Sequence, residues 1–149
     1  MMITETLISI YKRDLDKLKT EIDQYESDEK VWLAVTGITN SGGNLALHLV
    51  GNLKHFIGAV LGGTGYVRDR DAEFTSKSVS RAQLIAAVDE TTAIVSTTLA
   101  KLTGDELAAT YPIDVFGQPM TTEYFIIHLA THFNYHLGQI NYHRRLSAL

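Results

Sequence analysis

The sequence predicts an all-α protein, a four-helix bundle whose helices are joined by long loops. Three observations predict it. Apolar residues recur at steps of three and four over four long stretches, clusters of turn formers separate those stretches, and no convincing alternation of polar and apolar residues indicates a strand. The chain of 149 residues shows no internal repeat and no interior linker, so we expect one domain spanning residues 1–149.

The first two helices are predicted from apolar stripes. Over residues 3–25, apolar residues at helical spacing lie opposite a charged face, as in an amphipathic helix of about six turns. Turn formers fill residues 26–43. The second helix is expected over about residues 44–61, with Ser41 or Asn44 as its cap. Three glycines would end it, namely Gly62, Gly63 and Gly65.

The second half of the chain predicts two further helices. Residues 62–79 form the longest predicted loop, and their glycines lack the strand and the Gly-Lys-Ser/Thr ending of a P-loop. Ser80 and Gln83 form a capping box that opens a helix ending near Lys101. Residues 103–120 are interpreted as a loop, in which a short strand or hairpin fits residues 111–115. The last helix is expected from Thr121 or Thr122 to about Ser147.

Composition excludes several classes of function. The chain has 13 basic and 17 acidic residues, a net charge of −4, which argues against a nucleic-acid partner. It has no cysteine, so disulfides, cysteine zinc sites and an internal thiol nucleophile are excluded. The first residues lack the pattern of a signal peptide, and the most apolar stretch is too short and polar to span a membrane. We therefore expect a soluble cytoplasmic protein.

Four of the six histidines lie in the last predicted helix: His128, His132, His136 and His143. At about 100° per residue they share one face, and that face continues an apolar stripe directed at the interior. A single buried histidine is usually a core residue with hydrogen-bond partners. Four on one face are costly to bury unless they are organised around an ion. The cluster therefore favours a metal site.

His132 and His136 are one helical turn apart, so they can bind the same ion. The best third candidate is His48, which lies in the middle of the second predicted helix. Three histidines leave coordination positions open, which is typical of catalytic metal sites. A carboxylate-bridged di-iron site is disfavoured because no Glu-x-x-His pair is present, and the His-Glu-x-x-His zinc protease pattern is absent. Haem bound by two histidines stays open as a less favoured alternative.

The segment His-x-x-x-His-x-Gly-Gln-Ile, from His132 to Ile140, resembles the final-helix signature of the DinB-like superfamily. A further similarity is the stretch Gly-Asn-Leu-x-Leu-His-Leu-x-Gly-Asn-Leu, from Gly43 to Leu53, since the family places a ligand histidine in its second helix. The resemblance covers essentially the whole chain. It implies a four-helix bundle, often a homodimer, with a divalent ion bound by three histidines.

Carried over residue by residue, the resemblance implies His48, His132 and His136 as the metal ligands. Some relatives are S-transferases that use bacillithiol, mycothiol or glutathione, one is a mycothiol-dependent maleylpyruvate isomerase, and many have no established activity. One departure concerns the cosubstrate. The family often has an arginine directly after the last ligand, where this chain has Leu137, so that contact to an anionic thiol is in doubt.

The other polar residues near the three histidines are expected to support the site or to take part in packing. His128 could contact the ion instead, or serve with His143 as a pocket or supporting residue, and His55 is expected in a pocket or in packing. Gln139 is predicted to face inward and to hydrogen-bond a neighbouring helix. Asn52 either orients His48 or joins two helices.

The leading functional hypothesis is a metal-dependent transferase that acts on a low-molecular-weight thiol and an electrophile, with Tyr135, Tyr142 or His128 assisting. Three neutral imidazoles leave the ion its full charge, which lowers the pKa of a bound thiol or water. Zinc or nickel suits histidine better than manganese or calcium. The alternatives are a non-catalytic protein that binds a metal or a small ligand, and a metallohydrolase. The hydrolase would need a general base, and no carboxylate is obviously placed for that role.

Overall fold

The computed structural model describes residues 2–149, and within them six α-helices follow one another. Four are long and two are short, and they lie in this order: α1 (Ile3–Asp23), α2 (Gly42–Leu53), α3 (Arg70–Thr75), α4 (Arg81–Lys101), α5 (Gly104–Ala108) and α6 (Thr122–Ser147). The long helices α1, α2, α4 and α6 form the bundle. The predicted all-α fold class is therefore confirmed.

Local sequence signals account for where the long helices begin. The side chain of Ser41 accepts a hydrogen bond from the backbone N–H of Asn44 and caps α2. Ser80 and Gln83 form the predicted capping box of α4, and Thr121 caps α6. The helix α2 does not end regularly. It continues into one wide turn over Lys54–Ala59, in which backbone N–H groups bond to carbonyls five residues back.

The core lies between α1, α2, α4 and α6, and apolar side chains from each helix are buried there. Leu18, Leu49, Val95 and Ile126 have no exposed surface. The hydroxyl of Tyr11 on α1 donates to the carbonyl of Ile126 on α6 at 2.6 Å. The helix α2 packs against α6 on one side and against α3 on another. This packing brings the middle of α2 to the middle of α6.

Two segments that the sequence predicts as loops contain short helices. The helix α3 lies within residues 62–79, where Asp69 caps it by accepting from the backbone N–H of Ala72. The helix α5 lies within residues 103–120. Both are shorter than two turns, so no apolar periodicity can reveal them.

The strand considered at residues 111–115 does not form. Among residues 2–149 the extended pairing is limited to a bridge between Thr110 and Thr121, where two backbone hydrogen bonds of 2.8 and 2.9 Å join the chain on either side. Pro112 has no N–H to extend that pairing. Within the described residues, no helix is long and apolar enough to cross a membrane.

The segment from α3 to α4 is fixed onto α2, which matters for the site. The side-chain amide of Asn44 donates to the carbonyls of Glu73 and Ser76 at 3.0 and 2.8 Å. The indole N–H of Trp32 donates to the carbonyl of Val79 at 3.0 Å. The short helix α3 therefore covers the face of α2 that carries His48.

Candidate metal centre

His48, His132 and His136 converge between α2 and α6. Their ring centroids are 4.6 to 5.2 Å apart, and their planes cross at 74° to 89°. One ligand nitrogen from each ring lies within 4.8 Å of the others. No further histidine or carboxylate of residues 2–149 joins this group, which we call the histidine triad.

The spacing of the triad suits a small divalent ion. Nε2 of His48 lies 3.2 Å from Nε2 of His132. Two nitrogens bound to zinc at 2.0–2.1 Å in tetrahedral geometry are separated by about 3.3 Å. The closest pair of the triad therefore already has the separation that shared coordination requires.

The carboxylate of Glu73 on α3 sets the orientation of His48. Its Oε1 lies 3.1 Å from Nδ1 of His48, and both side chains are buried. A carboxylate can only accept a hydrogen bond. The guanidinium of Arg68 also lies 3.3 Å from Nδ1, but it donates to both oxygens of Glu73 at the shorter distance of 2.9 Å. We therefore assign the proton to Nδ1 and the lone pair to Nε2, which faces the triad. This is the carboxylate–histidine arrangement that orients metal ligands and raises their basicity.

Arg68 keeps that carboxylate ionised. Its guanidinium donates to both oxygens of Glu73 at 2.9 Å. Burial alone would raise the pKa of Glu73, but the hydrogen bonds from His48 and Arg68 outweigh it and the pKa lies below its ordinary value. Both carboxylate oxygens are thereby occupied.

A glycine on α2 leaves the space that Glu73 fills. Gly51 lies three residues after His48, and a Cβ at this position would come within 1.9 Å of Oε2 of Glu73. The absence of a side chain at Gly51 therefore lets α3 place its carboxylate directly beside the ligand.

Gln139 orients the second histidine, His136. Nδ1 of His136 lies 2.6 Å from Oε1 of Gln139, three residues later on α6. With Nδ1 donating to that oxygen, the lone pair of His136 is on Nε2. The prediction that Gln139 faces inward and joins a neighbouring helix is wrong, because Gln139 is exposed and bonds within its own helix.

His132 is held differently from the other two ligands. Its Nδ1 is buried and has no hydrogen-bond partner among residues 2–149. Burial, together with the charges of the nearby histidines and Arg68, lowers the pKa of His132 to about 4. Burial also lowers the pKa of His136, although the hydrogen bond to Gln139 opposes this effect. Both rings are therefore neutral at pH 7.

These observations show that the donor set fits a divalent metal ion. Two rings have their Nε2 lone pairs fixed by acceptors at Nδ1, and the third ring is uncharged. Uncharged imidazole nitrogens are ligands for zinc, nickel and copper.

A cavity of about 400 Å³ opens beside the triad. All three histidines line it, and so do four phenylalanines and the side chain of Asn52. A second groove of about 460 Å³ also borders His136, between the Gly37–Asn40 loop and the tyrosines Tyr135 and Tyr142. Both tyrosines are about two-thirds exposed. His136 thus borders both depressions, whereas His48 and His132 line only the cavity.

Of the remaining predicted residues, His128 and His55 have one of the roles expected for them, and Asn52 does not. His128 lines the cavity and packs against Phe116 and Phe125, but it is outside the triad. The ring of His55 packs on Phe56, as the packing role predicted. Asn52 makes neither predicted contact, since its Oδ1 is buried without a partner among residues 2–149.

His143 has a structural role rather than a place at the metal site. Its Nε2 donates to the carbonyl of Leu33 at 2.9 Å. Its Nδ1 accepts from the backbone N–H of Gly42 at 3.1 Å and from the hydroxyl of Tyr25 at 2.7 Å. The ring therefore connects three segments, and its expected pocket role is wrong.

Sequence reasoning missed Glu73 and Arg68. Both lie in the segment predicted as a loop, and nothing in a polar stretch distinguishes them from solvated charges. The one available signal was Gly51 within a buried helix, since a glycine there indicates close approach by another group.

The chain matches one protein-family model over residues 3–147, described as protein of unknown function (DUF1572). No curated protein matches the sequence. A DinB-like protein from Bacillus cereus ATCC 10987 has a similar structure, with a TM-score of 0.77, 18% identity, and coverage of 97% of this chain and 93% of that one. A conserved protein from Enterococcus faecalis is similar too, with a TM-score of 0.81, 16% identity, and coverage of 99% and 98%. These likenesses establish the DinB-like fold.

Proposed function

Since this chain belongs to the DUF1572 family and has the DinB-like fold, we propose that it binds a divalent metal ion through His48, His132 and His136 and uses it as an S-transferase. The observation that carries the proposal is the convergence of three imidazoles, two with oriented lone pairs, at the edge of a cavity. The cosubstrates would be a low-molecular-weight thiol and an electrophile. Zinc and nickel are the favoured ions.

A bound divalent ion with three uncharged ligands would lower the pKa of a thiol that reaches it, so that the thiolate forms at neutral pH. The residues of this chain would position the metal ligands and the two cosubstrates. Glu73 and Gln139 hold two ligands in place, and the two depressions beside the triad give each cosubstrate its own approach. The reaction forms one carbon–sulfur bond. The thiol proton passes to solvent, and the displaced electron pair either departs with a leaving group or is protonated on the electrophile.

We assign the thiol to the groove beside Tyr135 and Tyr142. The chain itself has no cysteine, so sulfur must come from outside. The groove is lined by the backbone-rich segment Gly37–Asn40 and by two tyrosines, which can bond to the polar tail of a small thiol. Such thiols are kept reduced in the cytoplasm, where we place the protein.

The test combines metal analysis with a conjugation assay. Protein purified without an affinity tag is analysed for bound metal, loaded with zinc or nickel, and incubated with pairs of thiols and electrophiles. We expect a conjugate in mass spectra, formed above the rate without protein and lost in His136→Gln and after chelation. Lys17→Gln, at an exposed residue of α1 outside the triad and both depressions, serves as the control that retains activity. Failure of every pairing in a metal-loaded protein would favour the non-catalytic binding role.

Hydrolysis is the weaker catalytic alternative. A metallohydrolase needs a carboxylate free to take a proton from water. Glu73 is close to the triad, but both its oxygens are bonded to His48 and Arg68 and its pKa is lowered. A carboxylate in that state is a poor general base.

We also propose that the protein is a homodimer that pairs through α6. Five large side chains at helical spacing are exposed on one face of this helix, which we call the α6 stripe: Tyr124, Ile127, Tyr135, Tyr142 and Leu146. Their exposed fractions run from 38% to 66%. Gly138 lies in the middle of the stripe, and a Cβ there would meet nothing within 4 Å. A second helix could therefore approach closely at this point.

A further inference from the structure

We propose that the cavity beside the triad binds a small, uncharged, planar group that carries one hydrogen-bond donor, and that Asn52 accepts this hydrogen bond. The proposal rests on the proposed function in one respect, because we identify the occupant with the electrophile. The binding site itself follows from the walls of the cavity.

Asn52 is the first observation. It lies on α2 one turn after His48, it is 7% exposed, and it lines the cavity. Its Oδ1 is buried and meets no donor anywhere in residues 2–149. A buried carbonyl oxygen without a partner is costly, and native proteins rarely keep one unless a ligand or water satisfies it. Because Asn52 lines the cavity, a small rotation of its carboxamide would bring this oxygen to a donor on a molecule bound there.

The second observation is that four phenylalanines line the cavity. The ring of Phe125 lies 5.1 Å from that of Phe56 and 5.8 Å from that of Phe116, in edge-to-face contacts. Phe116 in turn lies 5.0 Å from His128, and Phe74 lies 5.0 Å from His48 at the other side. Aromatic walls with a few polar groups are typical of sites for flat organic molecules.

The size and charge of the cavity narrow the ligand class. A volume of about 400 Å³ accommodates a molecule with one ring and short substituents. Of the two arginines that line it, Arg68 is bonded to Glu73, and Arg70 is exposed with its guanidinium 5.3 Å from the ring of Phe74. No buried charge is left for a ligand among the lining residues. A phenol, a benzylic alcohol or an aromatic amide fits these walls.

The test uses two probes, 4-fluorophenol and 4-fluoroanisole, in which the O–H donor of the first is replaced by an O–CH3 group in the second. Their binding to the full-length protein is titrated by fluorine NMR, with and without zinc and with no thiol present. We expect the phenol to bind about 5- to 10-fold more tightly, as one hydrogen bond would give. Asn52→Leu should abolish this preference while anisole binding persists. Phe116→Ala, at a half-exposed ring, should weaken both probes.

Two controls keep the outcome clear. Lys17→Ala, at an exposed residue of α1 that lines neither the cavity nor the groove, should leave both affinities unchanged. If Asn52→Leu does not fold, the side-chain amide resonance of Asn52 in the unaltered protein should shift with the phenol and not with the anisole. Equal affinity for both probes, or a preference that survives Asn52→Leu or needs zinc, would overturn the proposal. Because no thiol is used, that result would leave metal binding and conjugation standing.

Discussion

The carboxylate of Glu73 lies 3.1 Å from Nδ1 of His48, although Glu73 belongs to the short helix α3 and His48 to α2. Replacing Glu73 by glutamine removes the negative charge that makes His48 a more basic metal ligand. We expect Glu73→Gln to weaken zinc binding by about 10- to 100-fold, the usual effect of losing such a partner. The measurement is a competition titration against a chelating dye.

Asp71 offers the matched control for this prediction. It is an exposed acidic residue on the same short helix, two residues before Glu73. Asp71→Asn should leave the zinc affinity unchanged. Equal losses in the two variants would mean that general electrostatics, and not the contact with His48, governs metal binding.

Glu73, which the sequence did not predict as a site residue, shows why part of the site could not be found from the sequence. The helices α1, α2, α4 and α6 are long enough to reveal themselves by periodicity and caps, and α4 begins and ends where the sequence predicts. The helix α3 has six residues, and its position depends on contacts made by Asn44 far away in the chain. Such tertiary contacts leave no local pattern.

The four histidines of α6 show a second limit of prediction from sequence patterns. Helical spacing gives the angle of each histidine around α6 but not which partner lies beside it. At about 1.5 Å per residue, His128 and His143 are about 22 Å apart along the helix, so one ion cannot reach both. Only His132 and His136, one turn apart, lie at the level of His48. The others meet Phe116 and Leu33 instead.

Gly51 provides a test of close packing that spares every ligand. Gly51→Ala would place a Cβ 1.9 Å from Oε2 of Glu73, so the carboxylate must move away from His48. We expect zinc affinity to fall by about 10-fold, as for partial loss of the orienting contact, while the helical circular dichroism stays. Gly138→Ala is the control because its Cβ would meet nothing within 4 Å. Unchanged affinity in Gly51→Ala would contradict the close fit of α3 on α2.

The metal-free protein should lose stability as the pH falls from about 6.5 towards 4. The folded state holds the pKa of His132 at about 4, whereas an unfolded histidine titrates near its ordinary value of 6.5. Within this window the unfolded chain binds the proton more readily, so the stability present above pH 6.5 declines on acidification. The contribution of His132 is about 1 kcal/mol once its partial exposure to solvent is allowed for.

Urea unfolding of the metal-free protein at several pH values measures this effect. The midpoint should fall between pH 6.5 and 5, and His132→Gln should show a flatter profile over that range. Glu73 does not contribute to the change in stability over this pH range. Its pKa is lowered, so its contribution to the free energy of unfolding is lost only at more acidic pH. An identical pH profile in the two proteins would show that His132 titrates normally.

His143 should be essential for stability and irrelevant for metal binding. It is 1% exposed and bonds to Leu33, Gly42 and Tyr25. His143→Ala removes the partner that Leu33, Gly42 and Tyr25 share, and only the Tyr25 hydroxyl keeps another bond, to the carbonyl of Ile140. We therefore expect a loss of about 2–4 kcal/mol in the free energy of unfolding. Zinc affinity, measured at a temperature where the variant is folded, should not change. His55→Ala, at a half-buried ring, should cost less.

Pairing through the α6 stripe predicts a change of oligomeric state from a single surface substitution. Tyr142 is 65% exposed in the single chain, and an exposed aromatic stripe of this length is typical of a protein interface. Tyr142→Glu would bury an unpaired charge in each half of that interface, so the variant should sediment as a monomer where the unaltered protein sediments as a dimer. Lys17→Glu on the exposed face of α1 adds negative charge elsewhere and should leave the dimer intact. A monomeric unaltered protein, or equal sedimentation of the two variants, would reject α6 as the interface.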